Sequence, residues 1–248
     1  MHIALIGYGK MGRTVHALAK QNGIEITAII DPVAVEATAK EISAMALKNA
    51  DVCIDFTQSS VLVENVKKIA ALKKNIVVGT TGWYDKAEEV KKIVEQAKIG
   101  LIFATNFSIG VNLFYRIVKN AARLFNNFSE YDAFVLELHH NKKKDSPSGT
   151  AKSIGEIILQ EMKRKNKMVF DKLDRQIEAN ELHVASVRAG SIPGTHTVGF
   201  DSNADTIELK HEARSRDGFA AGALLAADWI NGKKGFFSIE DLMSQIIK

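Results

Sequence analysis

The chain has 248 residues, of which 46% are hydrophobic and 25% are charged, and its formal net charge is +4. This composition is typical of a globular protein and excludes disordered, collagen-like and low-complexity chains. The mild excess of basic residues suits a small anionic ligand. The sequence has no basic stripe interleaved with aromatic residues, so it gives no indication of nucleic-acid binding.

The N-terminal part of the sequence alternates short apolar strands with amphipathic helices. Strands are predicted at 2–6, 24–30, 52–56, 75–78 and 101–104, and helices at 13–21, 61–72 and 85–97. The third helix is predicted to begin with a capping box made by Asp85 and Glu88. Alternation of this kind favours a parallel, doubly wound sheet of the Rossmann type.

The pattern changes after residue 106. A long helix at 111–125, a strand at 133–138 and a helix from 149 to about 165 precede three strands with no helix between them, at 183–188, 196–200 and 206–211. The basic residues 163–165 are interpreted as the solvated end of a helix. Two last helices, 218–230 and 239–247, are expected to return to the first domain. The prediction is an α/β fold with a Rossmann-type domain, 1–108 and 217–248, and a smaller α+β domain, 109–216.

The cellular location is predicted by searching the sequence for segments that would direct export or membrane insertion. Apolar runs such as 220–227 are too short to span a membrane, and the start of the sequence does not resemble a signal peptide. The single cysteine, Cys53, lies in an apolar segment and fits a reducing compartment. We therefore expect a cytoplasmic protein without a membrane partner.

A glycine-rich turn follows the first strand and precedes the first helix. Its residues are Gly7, Tyr8, Gly9, Lys10, Met11 and Gly12. Glycines at this spacing permit a tight turn and let backbone N–H groups at the helix start approach a pyrophosphate. Asp31 ends the second strand, where a carboxylate accepts hydrogen bonds from an adenosine ribose and repels a 2′-phosphate. The motif predicts a dinucleotide, with NADH favoured. NADPH stays open because Lys10 can reach a phosphate, and the alternative is a structural turn in a fold that lost its ligand.

The most informative stretch runs from residue 137 to residue 151. His139, His140 and Lys143 place proton-transfer groups and positive charge near a strand end. A helix then begins at 148–150, where hydroxyl and N–H groups form an anion site suited to a carboxylate. Each part also has a structural interpretation, because Ser148 can be only an N-cap and the lysines only solvated.

This stretch resembles the E-x-H-H-x-x-K-x-D-x-P-S-G-T-A signature of the dihydrodipicolinate reductase family. The matching residues are Glu137, His139, His140, Lys143, Asp145, Pro147, Ser148, Gly149, Thr150 and Ala151. Further segments are similar to the same family in the same order, at 55–57, 79–82, 104–112, 188–196 and 215–216. The resemblance covers nearly the whole chain.

The resemblance implies a role for each matching residue. His139 and Lys143 would be the catalytic proton-transfer groups, and the substrate would be bound by His140, Ser148, Gly149 and Thr150. The nicotinamide end of the cofactor would be lined by Gly79, Thr80, Thr81, Ala104, Thr105, Asn106 and Phe107. It also implies a cyclic dicarboxylate substrate, a homotetramer built through the second domain, and reduction of 4-hydroxy-tetrahydrodipicolinate in lysine and diaminopimelate biosynthesis.

Two departures from the family pattern concern the cofactor. The glycine turn has the shorter standard spacing, and the segment from residue 31 to residue 51 is short.

Two rival hypotheses for the function stay open: another two-domain Rossmann reductase of amino-acid metabolism, and a non-catalytic NAD-binding protein. No metal site is predicted.

Overall fold

A computed structural model of the chain describes residues 1–170 and 172–247. The chain forms two compact units. Unit 1 comprises Met1–Ile109 and Arg216–Lys248, and unit 2 comprises Gly110–Ser215. Unit 1 is therefore built from two chain segments, and unit 2 from the continuous segment between them.

Unit 1 contains a six-stranded parallel sheet. Its strands are β1 (His2–Ile6), β2 (Glu25–Ile30), β3 (Val52–Asp55), β4 (Asn75–Val78), β5 (Gly100–Phe103) and β11 (Gly235–Ser238). They are arranged in the order β11-β5-β4-β3-β1-β2. Its helices are α1 (Lys10–Gln21), α2 (Ser59–Ala71), α3 (Ala87–Ala97), α6 (Asp217–Ile230) and α7 (Ile239–Ile246).

Both faces of this sheet are covered by helices. Val15 of α1, Ala223 of α6 and Leu242 of α7 belong to one buried cluster, whereas Leu62 of α2 and Val90 of α3 belong to another. Strands buried on both faces contain continuous apolar runs, here residues 52–54 of β3 and 76–78 of β4. The predicted fold class, a Rossmann-type doubly wound sheet with a second smaller domain, is confirmed.

Two local predictions in unit 1 were wrong. Strand β11 was missed, although it pairs in parallel with β5 from Gly235 to Ser238 and forms an edge of the sheet. The capping box at Asp85 is absent, because a short 3-10 helix, Tyr84–Lys86, precedes α3 and the N-cap residue Lys86 makes no side-chain capping bond.

Unit 2 contains a mixed five-stranded sheet. Its strands are β6 (Asp132–His139), β7 (Lys167–Phe170), β8 (Glu181–Arg188), β9 (Thr195–Asp201) and β10 (Thr206–Glu212). The order is β10-β9-β6-β8-β7. Strand β6 pairs in parallel with β8 and antiparallel with β9. Buried residues of α4 (Ile109–Phe125) and α5 (Gly149–Glu161), among them Val118 and Ile154, pack with Val135 of β6.

The C-terminal side of α5 differs from the prediction. The helix ends at Glu161, and the missed strand β7 follows it. Lys165 is only 2% exposed, contacts the carboxylate of Asp132, and donates a 2.7 Å hydrogen bond to the carbonyl of Glu181. Lys165 is therefore a buried structural contact, whereas Lys163 of the same basic segment is exposed as expected. Among the residues that the structure describes, no helix is both long enough and apolar enough to cross a membrane.

Candidate functional site

The glycine turn between β1 and α1 is shaped by close backbone packing. Gly7 has a φ of +89°, and a Cβ atom there would lie 2.6 Å from the carbonyl oxygen of Phe56. A Cβ at Gly12 would overlap the carbonyl of Gly7, whereas a Cβ at Gly9 would meet nothing within 4 Å. Gly9 is the N-cap residue of α1. The space over Gly9 and the N–H groups of the helix start therefore fit a pyrophosphate.

Asp31 follows β2 and binds backbone N–H groups. Its Oδ2 accepts from the N–H of Tyr8 at 2.8 Å, and its Oδ1 accepts from those of Val33 and Ala34 at 2.9 and 2.8 Å. Burial opposes ionisation of Asp31, but these N–H groups hold the pKa of its carboxyl below its ordinary value. The carboxylate therefore shapes the glycine turn as well as presenting negative charge beside it.

Two cavities in unit 1 follow the carboxyl ends of its strands. The larger, of about 590 Å³, is lined by Gly7, Gly9, Asp31, Lys40 and Lys68, among others. The smaller, of about 250 Å³, is lined by Met11, Phe56, Gly79, Ala104, Thr105, Asn106, Phe107, Arg216 and Phe219. Because Phe56 lines both cavities, they are adjacent. Their sizes and linings fit the adenosine half and the nicotinamide half of a dinucleotide.

Some expected cofactor residues lie outside these linings. Tyr8 is buried, and its hydroxyl lies 2.6 Å from Nδ1 of His16, while Lys10 and Thr81 are exposed. The hydroxyl of Thr80 donates a 2.8 Å hydrogen bond to Asp55. Asp55 is fully buried, and burial raises the pKa of its carboxyl. Thr80 therefore fixes the loop after β4 instead of lining either cavity.

The second group of polar residues lies in unit 2, where the pairing of β6 with β8 and β9 brings its members together. On β6, Glu137 lies beside His196 of β9, and His139 lies beside Arg188 of β8. Residues that pair directly across strands share a face of the sheet. Glu137 and His139 lie on the same face of β6 as the buried Val135, because side chains alternate along a strand.

Glu137 is the centre of this cluster and has no exposed surface. Its Oε1 accepts from Nη2 of Arg188 at 2.7 Å and from the N–H of Ser148 at 3.0 Å, and its Oε2 contacts Nδ1 of His139. Burial opposes ionisation, but the hydrogen bonds from His139 and Arg188 hold the pKa of Glu137 well below its ordinary value. A buried carboxylate therefore lies behind the histidine.

The loop after β6 carries the other predicted proton-transfer group. Nζ of Lys143 lies 2.9 Å from Oδ1 of Asp145, and the carbonyl of Asp145 accepts a 2.7 Å hydrogen bond from Nη2 of Arg188. Arg188 therefore ties the Lys143 loop to Glu137. The N–H of His140 donates to the carbonyl of Ile192 at 2.8 Å, and its buried Nδ1 has no hydrogen-bond partner among the described residues.

Helix α5 begins beside the same cluster. Ser148 is its N-cap, and Ser148 Oγ accepts from the N–H of Ala151 and lies 3.2 Å from Nε2 of His196. Burial, with a smaller contribution from the neighbouring His139, lowers the pKa of His196 to about 4. A Cβ at Gly149 would meet nothing within 4 Å, so the helix start stays open to an anion.

Gly194 controls access to His139. Its φ is +153°, and a Cβ atom there would lie 2.9 Å from Nε2 of His139. Glycine therefore leaves uncovered the imidazole nitrogen that points away from Glu137.

A metal ion is the other ligand that this cluster suggests. Glu137, His139 and His196 each offer one ligand atom, and the three atoms lie within 4.8 Å of one another. Glu137 already binds Arg188 through Oε1 and contacts His139 through Oε2, so hydrogen bonds and ion pairs account for the arrangement.

Sequence reasoning left several of these residues without a role. Arg188 and His196 matched a family segment, but only the strand pairing places them beside His139 and Glu137. Lys40 and Lys68 line the larger cavity and were not predicted, because they come from an irregular loop and from the exposed side of α2.

Comparison with known proteins identifies the family of the chain. The family model for the N-terminus of dihydrodipicolinate reductase matches residues 1–107, and the model for its C-terminus matches residues 110–243. Proteins described as 4-hydroxy-tetrahydrodipicolinate reductase are similar over most or all of their length. The one from Methanoregula boonei is 39% identical over 95% of this chain and 94% of its own, and the one from Christiangramia forsetii is 34% identical over 100% of both chains.

A solved structure shares the fold. It is described as dipicolinate-bound dihydrodipicolinate reductase from Paenisporosarcina sp. TG-14, with a TM-score of 0.76 and 22% identity over 97% of this chain and 98% of its own. The family models together span nearly every residue of the chain. The chain therefore belongs to the dihydrodipicolinate reductase family.

Proposed function

We propose that this chain reduces 4-hydroxy-tetrahydrodipicolinate to tetrahydrodipicolinate in the cytoplasm, as a step of lysine and diaminopimelate biosynthesis. The reaction consumes NAD(P)H and one proton and releases NAD(P)⁺ and water. The observation that carries the proposal is the cluster of His139, Glu137, Arg188 and the α5 start, in a chain that matches reductases of this name from end to end. The rival two-domain reductases share a glycine turn but lack the 137–151 signature.

The residues of unit 1 hold the cofactor in this proposal. The glycine turn and the start of α1 bind the pyrophosphate, Asp31 accepts from the adenosine ribose, and Gly79 with residues 104–107 surrounds the nicotinamide. The bound nicotinamide supplies the hydride. NADH is favoured over NADPH because the Asp31 carboxylate repels a 2′-phosphate. Lys40 and Lys68 line the same cavity and allow some use of NADPH.

The residues of unit 2 bind the dicarboxylate and handle the proton. One carboxylate is held by the N–H groups at Gly149 and Thr150 with Ser148 beside them, and His140 contributes a further contact. Either the cationic Lys143 or His139, once its Nε2 is protonated, stabilises the negative charge that develops on the ring nitrogen side and supplies the one proton. Both groups lie in a single cluster and act as a unit.

We also propose a homotetramer formed through the sheet of unit 2. Phe134, Leu136 and Leu138 of β6 alternate with its inward residues and are half-buried, and Val187 and Ile207 are 42% and 44% exposed. An apolar sheet face of this kind suits burial against another copy of the chain. Light scattering should give four times the chain mass, and a monomer at micromolar concentration would refute this assembly.

The enzymatic proposal is tested by a coupled assay. Freshly made product of dihydrodipicolinate synthase is added to the protein with NADH, and separately with NADPH, and the loss of nicotinamide absorbance is followed. Substrate-dependent oxidation is expected, with the larger kcat/KM for NADH. Tight NADH binding without oxidation of either cofactor would favour a binding protein, and turnover of another amino-acid precursor would favour a different reductase.

A further inference from the structure

The Glu137 side chain makes contacts that suit a carboxylate holding a catalytic imidazole. It is completely buried, and Arg188 and the N–H of Ser148 both donate to its Oε1, at 2.7 and 3.0 Å. Its Oε2 contacts Nδ1 of His139. An ionised carboxylate can only accept hydrogen bonds, so Nδ1 of His139 has to carry a hydrogen.

This contact decides which nitrogen of His139 is available. With hydrogen fixed at Nδ1, the neutral imidazole has its lone pair at Nε2, so only Nε2 gains and loses a proton. Nε2 is also the nitrogen that Gly194 leaves uncovered. The tautomer and the open space therefore both indicate Nε2 as the atom that exchanges the proton.

The same carboxylate connects three parts of the cluster. Through Ser148 it holds the start of α5, and through Arg188 it reaches the carbonyl of Asp145, whose side chain pairs with Lys143. A group with these connections orients others without needing to touch the substrate.

We propose that Glu137 is a positioning residue that holds His139 as the Nδ1–H tautomer and so makes Nε2 the proton-transfer atom. The inference rests on the proposed function, because it assigns a role within that reaction. Arg188 keeps the carboxylate ionised and correctly oriented.

The variant Glu137→Gln tests this assignment because the amide has one orientation that suits its neighbours. Two donors, Arg188 and the N–H of Ser148, surround the Oε1 position, so the amide oxygen should occupy it. The amide NH₂ then faces Nδ1 of His139 and donates to it, which reverses the tautomer and leaves hydrogen on Nε2. The start of α5 keeps its acceptor, so substrate and NADH binding should change little.

Two measurements follow. Nitrogen-15 NMR of histidine-labelled protein, with His139 assigned by its absence in His139→Ala, reports the tautomer of the neutral imidazole without any substrate. Wild type should carry hydrogen on Nδ1 and Glu137→Gln on Nε2.

In the reductase assay of Glu137→Gln, kcat should fall about 100-fold or more, because a wrongly oriented acid–base group loses most of its contribution. KM and the Kd for NADH should stay within about threefold. The control Glu156→Gln changes an exposed residue of α5 and should match wild type.

Several outcomes would overturn the role of Glu137. A wild-type His139 with hydrogen on Nε2 would refute it, even if the variant failed to fold. An unchanged tautomer in Glu137→Gln would also refute it, as would a reversed tautomer with normal kcat. A wild-type protein with the expected tautomer but no turnover of the substrate would refute the proposed function and leave the positioning contact intact.

Discussion

The substitution Gly194→Ala should separate access to His139 from the stability of the surrounding loop. The new Cβ would lie 2.9 Å from Nε2 of His139 and 3.3 Å from its Cδ2. An ordinary contact is about 3.5 Å, so the imidazole has to move by about 0.6 Å, the difference between 3.5 and 2.9 Å. Misplacement of a catalytic group by about 1 Å costs about 100-fold, so kcat should fall about 10- to 100-fold.

A matched control lies in the same loop. Gly190 has a φ of +51°, but a Cβ there would meet nothing within 4 Å. Gly190→Ala and Gly194→Ala should both lose about 1–3 kcal/mol of unfolding free energy through backbone strain. Only Gly194→Ala should lose kcat.

The assay combines thermal unfolding with steady-state kinetics on both variants. Both should have a lowered Tm, and Gly190→Ala should keep kcat within about twofold of wild type. Normal turnover in Gly194→Ala, or an equal loss of kcat in both variants, would contradict the argument that the Gly194 position must stay empty in front of Nε2.

Three further predictions concern the two units separately. His139→Ala and Lys143→Ala should each lower kcat by about 100-fold or more while the Kd for NADH, measured by fluorescence, stays within about threefold; near-normal turnover in both would refute the catalytic assignment. Asp31→Ala should raise the Kd for NADH more than that for NADPH, whereas an equal loss for both would make Asp31 purely a support of the glycine turn. The pKa of His196 is lowered from 6.5 to about 4, so between these values the unfolded chain binds a proton that the folded chain does not; unfolding free energy should therefore be full above pH 6.5 and fall by about 3 kcal/mol as pH drops towards 4. His196→Gln should flatten this dependence in urea titrations, and an unchanged slope would show that other groups cause it.

The first domain was largely predictable because its signals are local. Strand β1, the glycine turn and Asp31 follow one another within a short stretch, and β4 was predicted at its observed bounds. Strand β11 was missed because its four residues, Gly235–Ser238, form a strand only by pairing with β5, far away in sequence. Pairing over such a distance leaves no periodic pattern in a short segment.

The candidate site shows a similar division. His139, Lys143 and the helix start at Ser148 lie within a single stretch, so the sequence motif identifies them. The role of Arg188 depends on the register between β6 and β8, and that of His196 on the register between β6 and β9. Lys165 illustrates the opposite error, because a run of basic residues suggested solvent exposure while tertiary contacts with Asp132 and Glu181 bury it.

The two-segment construction of unit 1 sets an order for synthesis of the chain. Helix α6 packs against α1 and the central strands, and its Gly222 lies so close to the carbonyl of Phe107 that a Cβ there would overlap it. The ribosome therefore completes residues 110–215 before it makes α6, which covers part of one face of the first sheet. Unit 2 is a continuous segment and is complete while the part of that sheet face beneath α6 is still uncovered, so the domain begun first is finished last.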